Sequence, residues 1–263
     1  MVDIAELLTD LADESADLDR MVAGLSTMDW SRPTPAQGWT IAHQIAHLAW
    51  TDDVALLAVT DPARFTEALA AAAEDPTGFV DRGAVEGLAP PSELLTRWRT
   101  GRELLGAALA VMPAGVRAPW FGTAMSATSM ATGRLMETWA HGQDVADTLG
   151  LVRRPTARLR HVAYLGYRTL GHSFAAHGRP VPSEPVHVAL AAPDGTQWTF
   201  GPEEARDRIT GSALDFCLLV TQRRHRTDLA LRATGPVATD WLDVAQAFAG
   251  PPGVGREPAG ARS

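Results

Sequence analysis

The feature that most constrains the fold of this chain is a pair of polar motifs inside two strongly helical, apolar segments. The first motif carries His43 and His47, and the second, much later in the chain, carries Glu137 and His141. In each motif the two residues are four apart, so their side chains share one helix face about one turn from each other. The spacing therefore predicts two helices that each present ionisable groups to an apolar interior.

Three of these residues form a set that can hold a divalent metal ion. One imidazole from the first helix, with Glu137 and His141 from the second, leaves one coordination position open for water or substrate. A buried, unpaired carboxylate is strongly unfavourable, and a cation is its most general partner. His47 lies deeper in its apolar run than His43. It is therefore the better ligand, while His43 either faces a helix neighbour or orients the site.

The alternative is that each of these residues is an ordinary polar side chain satisfied in or near a helical core. Asp144, one turn beyond His141, also has two interpretations. It could accept a hydrogen bond from the second imidazole nitrogen of His141, or it could be an exposed helical acid. Zinc, nickel, iron and manganese all accept histidine and carboxylate ligands, and zinc is the expected ion.

The fold class predicted for the whole chain is α+β, with a four-helix bundle in residues 1–152. Apolar residues recur with helical spacing in four long segments, and prolines or glycines end most of them. These segments are residues 3–25, 40–60, 90–112 and 126–149. Because each segment has one apolar stripe, the four helices are expected to pack around a common core.

Residues 153–250 predict a smaller α+β domain. Helical spacing covers 157–176, 213–220 and 237–248, while strand-like segments cover 186–191, 198–200 and 229–233. The sequence Pro193-Asp194-Gly195 predicts a hairpin turn between the first two strands. Residues 251–263 are rich in glycine, proline and arginine and are expected to be a disordered tail.

Charge and composition argue against several classes of partner. The net charge is −8, and all 23 basic residues are arginine, so a basic field for a nucleic acid is absent. No apolar run is long enough for a membrane span, and the acidic start lacks the pattern of a secretory signal. The single cysteine, Cys217, excludes an internal disulfide. We therefore expect a cytoplasmic protein with no nucleic-acid or membrane partner.

Two segments carry a family resemblance. The sequences WTIAHQIAHLAW (residues 39–50) and ETWAH (residues 137–141) resemble the DinB-like metal-binding superfamily, and within it the mycothiol-dependent maleylpyruvate isomerase branch. The resemblance implies that His47, Glu137 and His141 bind the metal and that mycothiol is the thiol cosubstrate.

The resemblance extends to the second domain. Its pattern is similar to the sterol-carrier-like domain of such isomerases, which presents an arginine near the thiol. For this catalytic role the resemblance implies Arg223 or Arg224. Residues 234–250 are also similar to a stretch of a wybutosine-synthesis-type tRNA domain, but the acidic balance argues against an RNA role.

Three classes of function follow. The first is metal-dependent, thiol-assisted isomerisation or S-transfer on a small molecule, in which a low-molecular-weight thiol is the nucleophile. The second is a metal-dependent hydrolase or cyclase that uses activated water. The third is a non-catalytic, metal-stabilised protein that binds a ligand through its second domain. The sequence leaves the substrate and the oligomeric state open.

Overall fold

The computed structural model describes residues 3–72 and 78–261. It divides into two compact units, Met1–Arg153 and Arg154–Ser263. Arg153 belongs to the first unit because its guanidinium donates to the backbone oxygen of Trp139 at 2.8 Å and pairs with the buried carboxylate of Glu14. Within the described residues, no helix combines the length and apolar character that a membrane crossing needs.

In its described residues, the first unit consists of helices joined by loops, and two of the loops contain an isolated β-bridge. Its helices are α1 (Ile4–Val22), α2 (Thr27–Trp30), α3 (Ile41–Thr60), α4 (Pro62–Ala72), α5 (Phe79–Glu86), α6 (Pro91–Val111) and α7 (Ala127–Leu149). The four long helices α1, α3, α6 and α7 are the four that the sequence predicts. The bundle prediction is therefore confirmed.

The bundle core forms where the apolar stripes of these helices meet. Helix α3 packs against α6 and α7, and α1 packs against α7 and α6. Fully buried side chains from all four helices fill this core, among them Leu18, Ile45, Leu48, Trp98 and Val145. Burying a large aliphatic or aromatic side chain contributes about 1.5–3 kcal/mol, so this core is the main stabilising element of the unit.

Local signals fix where α7 begins and ends. The Ser126 hydroxyl accepts a hydrogen bond from the Ser129 backbone at 3.2 Å and so caps the first turn. Gly150 ends the helix with φ 69°, a left-handed conformation that glycine adopts without steric penalty. Glu137 and His141 therefore lie near the middle of a long, well-terminated helix.

The second unit combines helices with a small mixed sheet. Its elements are α8 (Leu159–Arg168), α9 (Leu170–Ala176), β1 (Val186–Ala191), β2 (Gln197–Phe200), β3 (Asp207–Ser212), α10 (Ala213–Val220), β4 (Arg232–Thr234) and α11 (Pro236–Val244). The strand order is β2-β1-β3-β4, with β1 and β3 parallel and both outer pairs antiparallel. The α+β class predicted from the sequence is confirmed, including the β1–β2 hairpin.

Four details of the second unit differ from the prediction. The strand expected at 229–233 is β4, which covers only Arg232–Thr234. The helix expected at 157–176 is two helices, and the hydroxyl of Thr169 at their junction donates to the Gln246 backbone oxygen at 2.7 Å. The helix expected at 237–248 ends at Val244. Strand β3 has no counterpart in the prediction, because Ile209 is its one aliphatic residue and gives no strand-like alternation.

The segment from Pro251 is described as far as Ala261. A short 3₁₀ turn covers Ala259–Ala261, and the Ala259 backbone N–H donates to the Asp228 carboxylate at 3.0 Å. The disorder expected of residues 251–263 stays a prediction.

Candidate metal centre

The residues His47, Glu137 and His141 come together between α3 and α7. The distance from His47 Nε2 to Glu137 Oε2 is 3.3 Å, and that from His141 Nε2 to the same oxygen is 3.1 Å. The donor atoms of all three side chains lie within 4.8 Å of one another. Both histidines are buried and the glutamate is half-buried. The structure thus brings His47 to Glu137, which lies 90 positions later in the sequence, and to His141 of the same helix as Glu137.

These distances suit three ligands of one ion. Zinc binds histidine nitrogen and carboxylate oxygen at about 2.0–2.2 Å, so the edge of a tetrahedral site is about 3.3 Å. The distances from Glu137 to the two imidazoles are close to that edge. Because two neutral imidazoles and one carboxylate form the donor set, the residues present fit a divalent cation with one further position to fill.

The electrostatics of Glu137 favour its ionised form. Burial by itself raises the pKa of this carboxyl group, but the hydrogen bonds with His141 and His47 outweigh the burial. The pKa of Glu137 therefore lies well below its usual value of 4.5. A carboxylate that stays ionised near neutral pH is available as a metal ligand.

A chain of hydrogen bonds fixes the orientation of His141. Its Nδ1 contacts Gln44 Oε1, while the amide nitrogen of Gln44 donates to the Thr34 hydroxyl at 2.9 Å. That hydroxyl donates in turn to the Trp39 backbone oxygen at 3.0 Å. Since the Gln44 amide nitrogen donates to Thr34, its oxygen accepts from His141 Nδ1–H. Nε2 of His141 is then the nitrogen that would release its proton when a cation binds and would offer a lone pair to it.

The sequence suggested Asp144 for this orienting role, whereas the structure gives it to Gln44. Asp144 is buried, and its backbone oxygen accepts from the Thr148 hydroxyl at 2.9 Å. The exposed-acid interpretation of Asp144 is therefore wrong. The sequence offers one indication of this role for Gln44. It precedes His47 by three residues on the same helix and therefore lies on the same face, one turn away.

The two histidines of α3 have different surroundings. Nδ1 of His43 lies 2.8 Å from the hydroxyl of Thr40, the N-cap residue of α3, so His43 takes part in the cap of that helix. Burial lowers the pKa of His43. His47 Nδ1 is buried with no hydrogen-bond partner among the described residues. The structure thus brings His47, and not His43, to Glu137.

The indole of Trp39 covers one side of the cluster, a feature that sequence reasoning missed. Its ring is stacked on His141, with centroids 5.8 Å apart and planes at 16°, and lies 5.3 Å from His47. Its Nε1–H donates to Asp81 at 3.2 Å, which ties the ring to α5. An aromatic surface at this position keeps water from one side of the imidazoles and strengthens the electrostatic interactions within the cluster.

A buried ion pair lies on the same two helices. Arg134 Nε on α7 donates to Asp52 Oδ1 on α3 at 2.8 Å, and the two residues are 4% and 5% exposed. Burial raises the pKa of Asp52, and the Arg134 charge opposes this rise. The pair joins the helix that carries His47 to the helix that carries Glu137.

The predicted catalytic arginines, Arg223 and Arg224, lie in the second unit just after α10. Two residues beyond the end of that helix, Gln222 has φ 57°, and the Arg223 backbone N–H donates to the Leu218 oxygen at 2.8 Å. This is the hydrogen-bond pattern of a helix C-cap, and it explains why Gln222 adopts the left-handed conformation. Both arginines are half-buried. Their catalytic role stays a prediction.

Cys217, also in the second unit, has the surroundings of an inert thiol. Its side chain is fully buried, and its sulfur lies 3.4 Å from the Leu159 backbone oxygen. Burial raises the pKa of the Cys217 thiol well above its usual value of 9.0. A thiol in this state is a poor nucleophile, because the reactive form is the thiolate.

The residues around the cluster match a family of known domains. The family described as mycothiol maleylpyruvate isomerase N-terminal domain matches residues 11–146, which is more than half of the chain. The chain belongs to this family. The match includes His47, Glu137 and His141 and confirms the predicted membership in the mycothiol-dependent maleylpyruvate isomerase branch of the DinB-like superfamily.

Solved structures show the same fold. A crystal structure of a mycothiol-dependent maleylpyruvate isomerase matches with a TM-score of 0.56 and 17% sequence identity, over 84% of this chain and 90% of that chain. A histidine-to-alanine mutant of an isomerase with that name matches with a TM-score of 0.57 and 16% identity, over 88% and 93%. At these sequence identities the similarity shows a shared fold. Its coverage of this chain is large enough to include parts of both units.

Closer relatives in sequence come from Mycobacterium tuberculosis. Two proteins, from strains CDC 1551 and H37Rv, are each 55% identical over 257 residues, which is 97% of this chain and 100% of the relative. Both are named only as uncharacterized proteins. The sequence similarity to these relatives therefore spans both units of this chain.

A further family match falls in the second unit. The family described as wyosine base formation matches residues 182–234. The sequence placed a likeness to such a domain at residues 234–250, so the expected position was wrong. The matched segment contains the four strands of the sheet and α10.

The role of Gln44 leads to a first prediction. Replacing Gln44 with alanine is expected to weaken divalent-metal binding by about 10–100-fold, because the His141 ring loses the partner that fixes its tautomer. Competition with a chromophoric chelator measures this affinity. Gln143→Ala is the matched control, since Gln143 is a buried glutamine of α7 that bonds to Asp147 at 2.8 Å. Equal affinities for Gln44→Ala and the wild type would contradict the assigned role.

Proposed function

We propose that this protein is a metal-dependent enzyme that performs thiol-assisted isomerisation or S-transfer on a small molecule. The proposed thiol is mycothiol, and the proposed metal is zinc held by His47, Glu137 and His141. The single observation that carries the proposal is the cluster of these three donors within 4.8 Å of one another, in a chain of the mycothiol maleylpyruvate isomerase family.

The charge of the cluster favours an anion in the open position. A divalent cation with two neutral imidazoles and the Glu137 carboxylate has a net charge of +1. Such a centre, when the cation is bound, lowers the pKa of a thiol beside it and so supplies a thiolate near neutral pH. The nearby pair of Asp52 and Arg134 adds no net charge, so it leaves this preference unchanged.

The residues of the cluster have separate tasks. Glu137 stays ionised through its two imidazole contacts and supplies the negative charge of the donor set. Gln44 holds His141 in the required tautomer, and Trp39 shields both imidazoles from water. Together they keep three donors fixed in a partly dehydrated site, where a thiolate is a stronger nucleophile than in bulk water.

The thiol itself has to come from outside the chain. Cys217 is the one cysteine of the sequence, and its buried, protonated state makes it unsuited to nucleophilic attack. An external thiolate can add to an electron-poor double bond, after which rotation about the new single bond and elimination of the thiol give the isomer. If the thiolate instead displaces a leaving group, the same residues support S-transfer.

The function is tested by adding mycothiol to the cobalt-substituted protein and recording its absorption spectrum. A thiolate-to-cobalt band that rises to saturation at one thiol per chain is the expected result, and Glu137→Gln should not give it. The matched variant Gln143→Glu tests whether any change of charge on α7 has this effect. The absence of a thiol-dependent band, together with hydrolytic activity in thiol-free buffer, would favour activated water instead.

A further inference from the structure

A cavity of about 240 Å³ lies within the second unit, beside the β1–β2 hairpin. At ~30 Å³ for one water molecule, this volume equals about eight waters, so the cavity has room for one small molecule. Two segments line it, the chain just before α8 and the hairpin, and they contribute Arg154, Pro155, Thr156, Pro193, Asp194 and Trp198. The donors of the metal-binding cluster belong to the first unit, so the cavity is not part of that cluster.

The hairpin holds two of these side chains in fixed positions. Trp198 lies on β2 opposite Leu190 of β1, and 7% of it is exposed. Asp194 lies in the turn, where its Oδ1 accepts hydrogen bonds from the Thr196 hydroxyl at 2.7 Å and the Thr196 backbone N–H at 2.9 Å. The bond from the hydroxyl, followed by that from the backbone, lowers the pKa of Asp194 below its usual value of 3.8. A ligand at neutral pH would therefore meet an aromatic wall and a negative charge that are already in place.

Two opposite charges line the cavity without neutralising each other. The Arg154 guanidinium is exposed and forms no ion pair or hydrogen bond with the described residues. Asp194 forms no ion pair within the described part of the chain either, and only Oδ1 of its carboxylate takes part in the turn. The indole N–H of Trp198 donates to none of the described residues. The cavity thus offers two donor groups and one acceptor group to a ligand.

These groups select among ligand classes. A phosphate or another simple anion would meet the carboxylate of Asp194, a simple cation would meet Arg154, and a hydrocarbon would cover both charges without pairing either. A zwitterion of amino-acid size satisfies all of them. Its carboxylate accepts from Arg154 and from the Trp198 N–H, and its ammonium group donates to Asp194. Its apolar side chain packs against the rings of Pro155 and Pro193.

We propose that this cavity in the second unit binds a free α-amino acid with an apolar side chain of about the size of leucine. Arg154 holds the carboxylate, Asp194 holds the ammonium group, and Trp198 forms one wall. An amino acid inside a peptide lacks both charges, so the site takes the free molecule. The inference does not depend on the proposed thiol chemistry, because none of the lining residues belongs to the metal-binding cluster.

Isothermal titration calorimetry of the full chain with three probes tests the site. Leucine carries both charges, isocaproate lacks the ammonium group, and isoamylamine lacks the carboxylate, while all three share one branched hydrocarbon. We expect leucine to bind about tenfold more tightly than either analogue, because each analogue leaves one charged group of the cavity without a partner. Equal affinities for the three probes, or the absence of leucine binding, would refute the proposal.

Two substitutions test the two charges separately. Arg154→Gln should weaken leucine binding about tenfold without weakening that of isoamylamine, which has no carboxylate. Asp194→Asn should weaken leucine binding to a similar degree without weakening that of isocaproate. The asparagine oxygen can still accept the hydrogen bonds from Thr196 that hold the turn. Arg232→Gln and Asp240→Asn are the matched controls, because both residues are exposed in the second unit and do not line the cavity.

The controls should bind leucine as the wild type does. If Arg154→Gln and Asp194→Asn also bind leucine with the affinity of the wild type, the amino acid lies elsewhere and the proposed site is wrong.

Discussion

Replacing His47 with alanine is expected to remove the divalent ion from the purified protein, whereas replacing His43 with alanine leaves one ion per chain. His47 Nε2 lies 3.3 Å from Glu137, and without this imidazole the remaining donors are Glu137 and His141 of one helix. Loss of a residue that merely orients a ligand weakens metal binding by about 10–100-fold, so loss of a ligand should exceed this range. Elemental analysis after dialysis against a zinc buffer measures the stoichiometry.

His43→Ala is a well-matched control because both histidines belong to α3 and lie one turn apart. His43 contacts Thr40 at the start of the helix, so its loss affects a cap and not the cluster. Circular dichroism should show that both variants keep their helices. A His47→Ala protein that retains a full equivalent of zinc would exclude His47 as a ligand. Loss of zinc from His43→Ala alone would reassign the ligand of α3.

The sequence was sufficient to predict the four-helix bundle and the convergence of His47, Glu137 and His141. The apolar spacing in α1, α3, α6 and α7 is regular over many turns, and helices with one apolar face have few ways to bury it. Once two such helices face each other, the buried polar residues on their inner faces must meet. The convergence of His47, Glu137 and His141 follows from this packing, and helix ends such as Gly150 follow from local conformational preference.

Three features of the structure could not be predicted from the sequence, because each depends on contacts between distant segments. The partner of His141 is Gln44, whose own orientation depends on Thr34 in a loop, and no local pattern encodes this chain of hydrogen bonds. Trp39 precedes α3, and its position over the imidazoles depends on Asp81 of α5. Strand β3 exists because β1 and β4 pair with it on both sides, although its own sequence is mostly polar.

The family of this chain is shown, whereas its substrate is not. Membership of the mycothiol maleylpyruvate isomerase family rests on the match over residues 11–146. The likeness of fold spans both units, but at 17% sequence identity it leaves the substrate free to differ, because one fold can serve several reactions. The residues that would set the substrate therefore have to be found around the cluster of this chain.

The ion pair beside the cluster leads to the prediction with the largest effect on stability. Replacing Arg134 with methionine should lower the free energy of unfolding by about 3–5 kcal/mol, because it leaves the Asp52 carboxylate buried without its partner. Asp52 Oδ1 lies 2.8 Å from Arg134 Nε, and both residues are more than nine-tenths buried. Urea unfolding of the metal-free protein at pH 7 measures the loss.

The double variant Asp52→Leu/Arg134→Met separates the effect of the unpaired charge from that of changed packing. With both charges replaced by apolar groups of similar size, stability should return to within about 1–2 kcal/mol of the wild type or exceed it. A double variant as unstable as Arg134→Met alone would show that lost packing, and not the isolated carboxylate, causes the destabilisation.

The pH dependence of the single variant gives a further check on the same prediction. Burial already raises the pKa of Asp52 in the folded protein above its usual value of 3.8, and loss of the Arg134 charge should raise it further. A group whose pKa is raised by folding favours the folded state while it is protonated, and this contribution is lost as the pH rises through the folded pKa. The destabilisation of Arg134→Met relative to the double variant should therefore be largest at neutral pH and shrink as the pH falls toward the unfolded pKa. If the difference in unfolding free energy between the two variants does not change with pH, ionisation of Asp52 is not the cause of the destabilisation.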